Sequence, residues 1–206
     1  MKLLSDILYK AGIDEIKGTT KLAITSICFD SRAVAKSSLF VAVKGTKVDA
    51  HDFIDKAISD GAIAVVCEKF PAEMNEKITY IQVKDSSFAL GIIASNFFDN
   101  PSEKLKLVGI TGTNGKTSCT QWIAQALSRD AIPTAVIGTL GSGLFKQGEV
   151  NHFEQTGYTT PDPVQLQRQL ATNKQAGAKA CAIEASSIGL DQGRLNALHI
   201  DVAVLT

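Results

Sequence analysis

The chain has 206 residues, 45% hydrophobic and 20% charged, with 21 basic and 21 acidic side chains and a formal net charge of zero. That length holds one large domain or two modest ones, and that composition builds a core rather than a disordered chain. The charge balance argues against a nucleic-acid partner while leaving room for a local anion pocket.

The spacing of Leu3, Leu4, Ile7 and Leu8 predicts a helix stopped by Gly12. SICFDSR and SLFVAVKG read as strands, the second so continuously apolar that both its faces should be covered. HDFIDKAISDG reads as a helix closed by Gly61, with Phe53, Ile54, Ala57 and Ile58 inward. AIAVVCE and ITYIQV are further strands, so residues 1–84 are predicted to form one small α/β domain. A helix over SSFALGIIASNFFDN, broken at Asn100-Pro101, opens a second α/β series over 85–206. Its elements are the strand KLKLVGIT, the helix GKTSCTQWIAQALSR with Trp122 in the core, and the strand TAVIGT. A helix follows with Asp162 as N-cap and Pro163 as first residue, then the strands AKACAIEASS and HIDVAVLT. The last is predicted to be central, and a chain that stops on it reads as the N-terminal piece of something longer.

The N-terminus MKLLSDILYKAGI lacks the apolar region and cleavage site of a secretory signal. No apolar run reaches the roughly 18 residues of a membrane span, so a cytoplasmic protein without a membrane span is expected. Cys28, Cys67, Cys119 and Cys181 are far apart, without metal-ligand spacing, and read as packed free thiols. His51, His152 and His199 form no ligand-spaced cluster; His51 opens a helix and is the one placed near a possible binding turn.

Chemistry concentrates at Gly112-Thr113-Asn114-Gly115-Lys116-Thr117-Ser118. The strict phosphate-loop spacing would need glycine where Ile110 stands, so that pattern fails as written. Its physics is present nonetheless. A buried strand feeds a turn with two glycines, whose backbone amides can converge on an anion, and a helix N-terminus follows directly. Lys116 supplies a full positive charge and Thr117 a hydroxyl suited to Mg²⁺. Glu184 closes an apolar strand, where ligands gather in parallel sheets. It reads either as a Mg²⁺ ligand or as a solvated strand end. Arg194 reads as an anion fork or as a surface arginine.

Thr111-Gly112-Thr113-Asn114-Gly115-Lys116-Thr117 resembles the loop of the Mur ligase family of ATP-dependent amide-forming enzymes, T-G-[TS]-N-G-K-[ST]. Three more stretches resemble that family: Phe29–Val66, Tyr158–Gln167 (YTTPDPVQLQ) and Glu184–Arg194 (EASSIGLDQGR). The last two are most similar to the member that adds the third amino acid of the peptidoglycan precursor. The resemblance implies a small N-terminal α/β UDP-binding domain, then the first part of a P-loop-type parallel-sheet ATPase domain, truncated. It implies that Phe29, Ser31, Thr46, Lys47 and Val48 lie at the uridine-diphosphate end of the substrate. Tyr158, Thr159, Thr160, Ser186, Gln192 and Arg194 would hold the rest of a UDP-muramoyl dipeptide. Gly112 to Ser118 would bind ATP, Lys116, Thr117 and Glu184 would be catalytic, and Thr117 and Glu184 would take Mg²⁺. Tyr158 stands where a relative often has Asn.

In the implied reaction the dipeptide carboxylate takes the γ-phosphoryl group of ATP, and the amine of a free amino acid attacks the acyl phosphate. The family's remaining metal ligands and amino-acid-binding domain are expected beyond Thr206, so this piece alone should make no amide bond. A monomer is expected. The choice between meso-diaminopimelate and L-lysine is open from these residues. Two alternatives remain: a related ligase (dipeptide-adding or folylpolyglutamate-forming), and a UDP-sugar or nucleotide-binding module without catalysis.

Overall fold

The computed structural model describes residues 1–45, 48–155 and 157–206. Thr46 and Lys47, two of the expected substrate contacts, lie outside the described residues, as does the side chain of His152. The chain divides into two units, Met1–Phe97 and Phe98–Thr206.

The first unit opens with β1 (Lys2–Leu3), the single turn α1 (Leu4–Ile7), β2 (Ile13–Lys17) and β3 (Ala23–Ile24), with β1 pairing antiparallel to β3. The predicted first helix is therefore short. Leu4, Ile7 and Leu8 are buried, while Leu3 falls in β1 and is exposed. A mainly parallel sheet is then laid down by β4 (Ser26–Cys28), β5 (Ser38–Val41), β6 (Ala62–Cys67) and β7 (Thr79–Val83). Helix α2 (Ile54–Ser59) lies between β5 and β6 in the chain, and α3 (Ser86–Phe97) follows β7. Strand order is β2-β7-β6-β5-β4, with β2 as an antiparallel edge. Leu39, Phe40, Val41, Val65 and Val66 are wholly buried, as strands covered on both faces require.

The predicted helix at His51 begins later. Asp49 caps a 3₁₀ turn over Ala50–Phe53, accepting from the His51 amide, and α2 starts only at Ile54. Ile54 and Ala57 face the core as expected, whereas Phe53 is 38% exposed because the tighter turn rotates it outward. Helix α3 was expected to open the second domain, with the boundary after residue 84. It groups instead with the first unit, where Asn96 Nδ2 donates to the carbonyls of Ile7 (2.9 Å) and Tyr9 (2.6 Å).

The second unit contains β8 (Lys106–Thr111), α4 (Lys116–Arg129), β9 (Thr134–Gly138), β10 (Gly141–Lys146), β11 (Glu149–Glu154), α5 (Pro163–Gln175), β12 (Ala180–Glu184), α6 (Ser187–Asp191) and β13 (Val202–Leu205). Its sheet runs β11-β10-β9-β12-β8-β13, parallel among β9, β12, β8 and β13. Strand β13 pairs in parallel with β8. Asp162 caps α5 as predicted, accepting from the amides of Val164 (3.0 Å) and Gln165 (2.9 Å). The β10–β11 hairpin was not predicted; Gln147 (φ 55°) and Gly148 (φ 87°) turn it in the left-handed pair that suits a tight hairpin.

Trp122 is corrected from core to surface and is 68% exposed. Helix α4 buries a stripe of small residues, Thr120, Ala124 and Ser128, spaced four apart; two positions on from Thr120, Trp122 points away from it. Cys28, Cys67 and Cys181 are buried and Cys119 half-buried. Burial pushes the Cys67 thiol up to about 11, and Cys181 also upward, which suits packing rather than reactivity.

Candidate nucleotide and substrate site

In the second unit the parallel strands β8, β9 and β12 all end at one edge. The chemistry-bearing residues leave from those ends, as expected for ligands outside the carboxyl ends of a parallel sheet. After β8 the backbone turns through Gly112 (φ 135°) and Gly115 (φ 82°), conformations that only glycine adopts easily. At Gly112 an added Cβ would lie 2.2 Å from the Thr206 carbonyl oxygen, so side-chain bulk is excluded there too. Thr113, Asn114 and Gly115 are exposed, Lys116 and Thr117 half-buried, and Ser118 exposed on the first turn of α4. Lys116 Nζ donates back to the Gly112 carbonyl at 2.7 Å. The ammonium thus lies across the loop it would serve.

Glu184 is only 1% exposed, which removes the solvated-strand-end reading. Among the described residues, three donors meet its carboxylate. The Thr117 hydroxyl reaches Oε2 at 3.0 Å, the Thr139 amide reaches Oε1 at 2.9 Å, and the Thr139 hydroxyl reaches Oε2 at 3.1 Å. Thus the two expected metal ligands from distant sequence positions, Thr117 and Glu184, are in direct contact. Gly138 makes room for this. A Cβ there would stand 2.1 Å from Glu184 Oε1 and 2.6 Å from its carboxyl carbon. Neither Gly138 nor Thr139 was singled out in the sequence; the one local signal was a glycine closing the apolar run TAVIG.

The expected substrate residues of this unit form a second, adjoining network. Thr160 is buried, and its hydroxyl donates to the Glu184 carbonyl at 2.7 Å. The same oxygen accepts from the Ser186 amide at 3.0 Å and lies 2.9 Å from the Ser186 hydroxyl. Ser186 Oγ in turn accepts from the Gly189 amide at 3.1 Å, capping α6. Arg194 Nη1 donates to the Thr160 carbonyl at 2.7 Å. Its Nε and Nη2 both donate to Gln192 Oε1, at 3.0 and 2.6 Å. The guanidinium also lies 5.7 Å from the Tyr158 ring centroid. Thr159 joins through its hydroxyl, 3.0 Å from that of Thr139. Tyr158, Thr159, Thr160, Ser186, Gln192 and Arg194 are therefore linked to one another and, through Glu184 and Thr139, to the glycine-rich loop.

In the first unit, Phe29 and Ser31 follow the carboxyl end of β4, and Val48 lies in the turn after the neighbouring parallel strand β5. Phe29 is half-buried, Ser31 buried and Val48 58% exposed. That turn is closed by the Gly45 amide donating to the Val48 carbonyl at 3.0 Å. His51 follows it in the chain. Its Nδ1 contacts Asp49 Oδ1 at 2.6 Å and its Nε2 accepts from the Glu68 amide at 2.9 Å, so the proton of the neutral ring is on Nδ1. The Asp49 carboxyl is held below the usual aspartate range, chiefly by the His51 amide and then by its ring.

Two donors, the Thr117 hydroxyl and the Glu184 carboxylate, suit a hard cation whose other ligands are phosphate oxygens and water. No cluster of three or more His, Cys, Asp or Glu that could form a self-sufficient metal cage occurs among the described residues. No helix among them is long and apolar enough to cross a membrane.

Residues 23–98 match the Mur ligase family catalytic domain, and residues 110–206 match the Mur ligase middle domain. The UDP-N-acetylmuramoyl-L-alanyl-D-glutamate--2,6-diaminopimelate ligase of Janthinobacterium sp. (strain Marseille) is 47% identical over 179 residues, 86% of this chain and 35% of the relative. A solved structure of a ligase of that name superposes with a TM-score of 0.78 at 27% identity, covering 99% of this chain and 40% of the other. The MurF ligase from Thermotoga maritima, solved in complex with ADP, gives a TM-score of 0.56 at 26% identity, covering 87% of this chain and 36% of the other. The chain thus spans 35–40% of the length of these proteins. Across residues 23–98 and 110–206, then, it is similar to two successive domains of the Mur ligase family, the catalytic domain first and the middle domain after it.

Proposed function

We propose that these residues serve an ATP-dependent ligase of peptidoglycan-precursor synthesis, one that adds the third amino acid to UDP-N-acetylmuramoyl-L-alanyl-D-glutamate through an acyl phosphate. The added amino acid proposed is 2,6-diaminopimelate, after the names of the relatives. The observation that carries the reading is the contact of the buried Glu184 carboxylate with the Thr117 hydroxyl, directly beside a glycine-rich loop that ends in Lys116.

The loop amides at Gly112 to Ser118 and the N-terminus of α4 would bind the nucleotide phosphates, with Lys116 turning from the Gly112 carbonyl to a phosphate oxygen. Thr117 and Glu184 would hold a Mg²⁺, which when bound offsets phosphate charge as two anions approach. Arg194, kept in place by Gln192 and the Thr160 carbonyl, would present its remaining edge to an anionic part of the substrate. Thr159, Thr160 and Ser186 would orient that substrate, and Phe29, Ser31, Thr46, Lys47 and Val48 would take its uridine-diphosphate end. Holding both reactants in register is the main work of such a site, because positioning governs the rate of a reaction between two bound molecules.

Thermal-shift measurements on the chain test the reading. UDP-muramoyl dipeptide should stabilise it, while the tripeptide and a folate should not, and Mg²⁺ with ADP should stabilise it independently. Lys116→Ala should lose the ADP shift and keep the dipeptide shift. An unaltered ADP shift in Lys116→Ala refutes the loop assignment. Stabilisation by ADP without any response to the dipeptide favours the nucleotide-binding module without this substrate.

A further inference from the structure

We propose that Thr139 is a positioning residue: it grips the Glu184 carboxylate at both oxygens and fixes the orientation in which Glu184 meets a divalent cation. The proposal rests on the nucleotide-site reading above.

The argument begins with the carboxylate. Glu184 is almost wholly buried, and among the described residues its carboxylate is met by Thr117 and Thr139. Its contact with Thr117 is the one that a cation shared by the two residues would replace. Among the described residues, what remains to hold it is Thr139, whose amide donates to Oε1 and whose hydroxyl donates to Oε2, at 2.9 and 3.1 Å. Two donors from one residue on the two oxygens fix the plane of the carboxylate, as a single bond would not.

The hydroxyl has only one proton. An ionised carboxylate can only accept, so that proton goes to Glu184. The contact between Thr139 Oγ1 and Thr159 Oγ1 at 3.0 Å must then run from Thr159 to Thr139. Thr159 therefore aims the Thr139 hydroxyl at Glu184 from behind. Gly138, directly before Thr139, admits the carboxylate to this grip, since a Cβ there would occupy the space of Oε1. The whole arrangement is set by the parallel pairing of β9 with β12, in which Ile183 stands opposite Ile137.

A residue that acts on the cation through Glu184 has a distinctive signature. Removing the Thr139 hydroxyl should weaken binding of nucleotide with metal and spare binding of nucleotide without it. Calorimetric titration of the chain with ADP, in Mg²⁺ and in EDTA, reads this. Thr139→Val should lose about tenfold in ADP affinity in Mg²⁺, the worth of one hydrogen bond to a charged group, and change less than about twofold in EDTA. Thr139→Ser should restore the Mg²⁺ value. Equal losses in both buffers, or none in Mg²⁺, overturn the proposal. Amide exchange in the ligand-free chain gives a second measurement that needs no nucleotide. Glu184→Ala should speed exchange of the Thr139 amide by about tenfold or more while the Ala182 amide within β12 keeps its rate. An unchanged Thr139 rate overturns the grip. Wild-type chain that binds no ADP in either buffer would count against the nucleotide reading alone, leaving the exchange measurement to decide the role of Thr139.

Discussion

Replacing Gly138 with alanine tests the packing of the carboxylate site with a single methyl group. The added Cβ would lie 2.1 Å from Glu184 Oε1, 2.6 Å from its carboxyl carbon and 2.7 Å from Cγ. All three are well inside contact distance, so either β9 or the Glu184 side chain must move. Overpacking of a well-filled interior costs about 1–3 kcal/mol, and a lost hydrogen bond to a charged group about 1.5–3 kcal/mol. With one such bond broken and part of the clash relieved by movement, the expected destabilisation is about 2–4 kcal/mol. Urea unfolding of the chain measures it, and affinity for ADP in Mg²⁺ should fall alongside. The decisive form is a double-mutant cycle. The three atoms nearest the new methyl all belong to the Glu184 side chain beyond Cβ, so in a Glu184→Ala background the methyl should cost much less. If the two substitutions add, with Gly138→Ala costing as much in either background, the clash is not with Glu184 and the reasoning fails.

Thr160→Val should destabilise the chain by about 1–3 kcal/mol, because it leaves the Ser186 amide and the Glu184 carbonyl without their shared hydroxyl; a urea midpoint equal to wild type would show that the network is not maintained in solution. Asp201 gives a pH prediction. Its carboxyl is held below the ordinary value of 3.8, first by the Leu107 amide and then by Lys106, so its contribution is complete above that value and is lost as pH falls through the lowered one. Amide exchange at Leu107 should accordingly quicken in acid beyond the intrinsic trend, and Asp201→Asn should abolish that excess; the same pH profile in both proteins would rule Asp201 out.

The loop and helix of the second unit were legible because their determinants are local. Glycines, Lys116 and Thr117 fall within six residues, and the strand before them is a plain apolar run. The position of Glu184 at a strand end was equally readable, but not its burial. That depends on Gly138 and Thr139, the latter 45 residues away along the chain and brought near only by strand pairing. The hairpin over β10 and β11 was missed because its turn is Gln147-Gly148 rather than a stronger Asn-Gly or Asp-Gly signal. Trp122 misled for a related reason. Aromatic residues usually mark the inner face of a helix, but α4 lies against its sheet through Thr120, Ala124 and Ser128, whose small size gives a weak hydrophobic signal. The boundary between units moved because α3 is anchored by Asn96, a polar residue whose partners are main-chain carbonyls near the N-terminus.

The bond from Lys116 to the Gly112 carbonyl has a consequence for selectivity. At rest one of the three ammonium protons is held by a neutral carbonyl, so an anion that is to centre the lysine on itself must draw it off that oxygen. A lone sulfate or chloride, offering little beyond one exchange of oxygens, has small advantage. A polyphosphate, which on the proposed reading of the loop would engage several amides at once while drawing the lysine away, would have a large one, and the latch would then favour such a ligand over lone small anions.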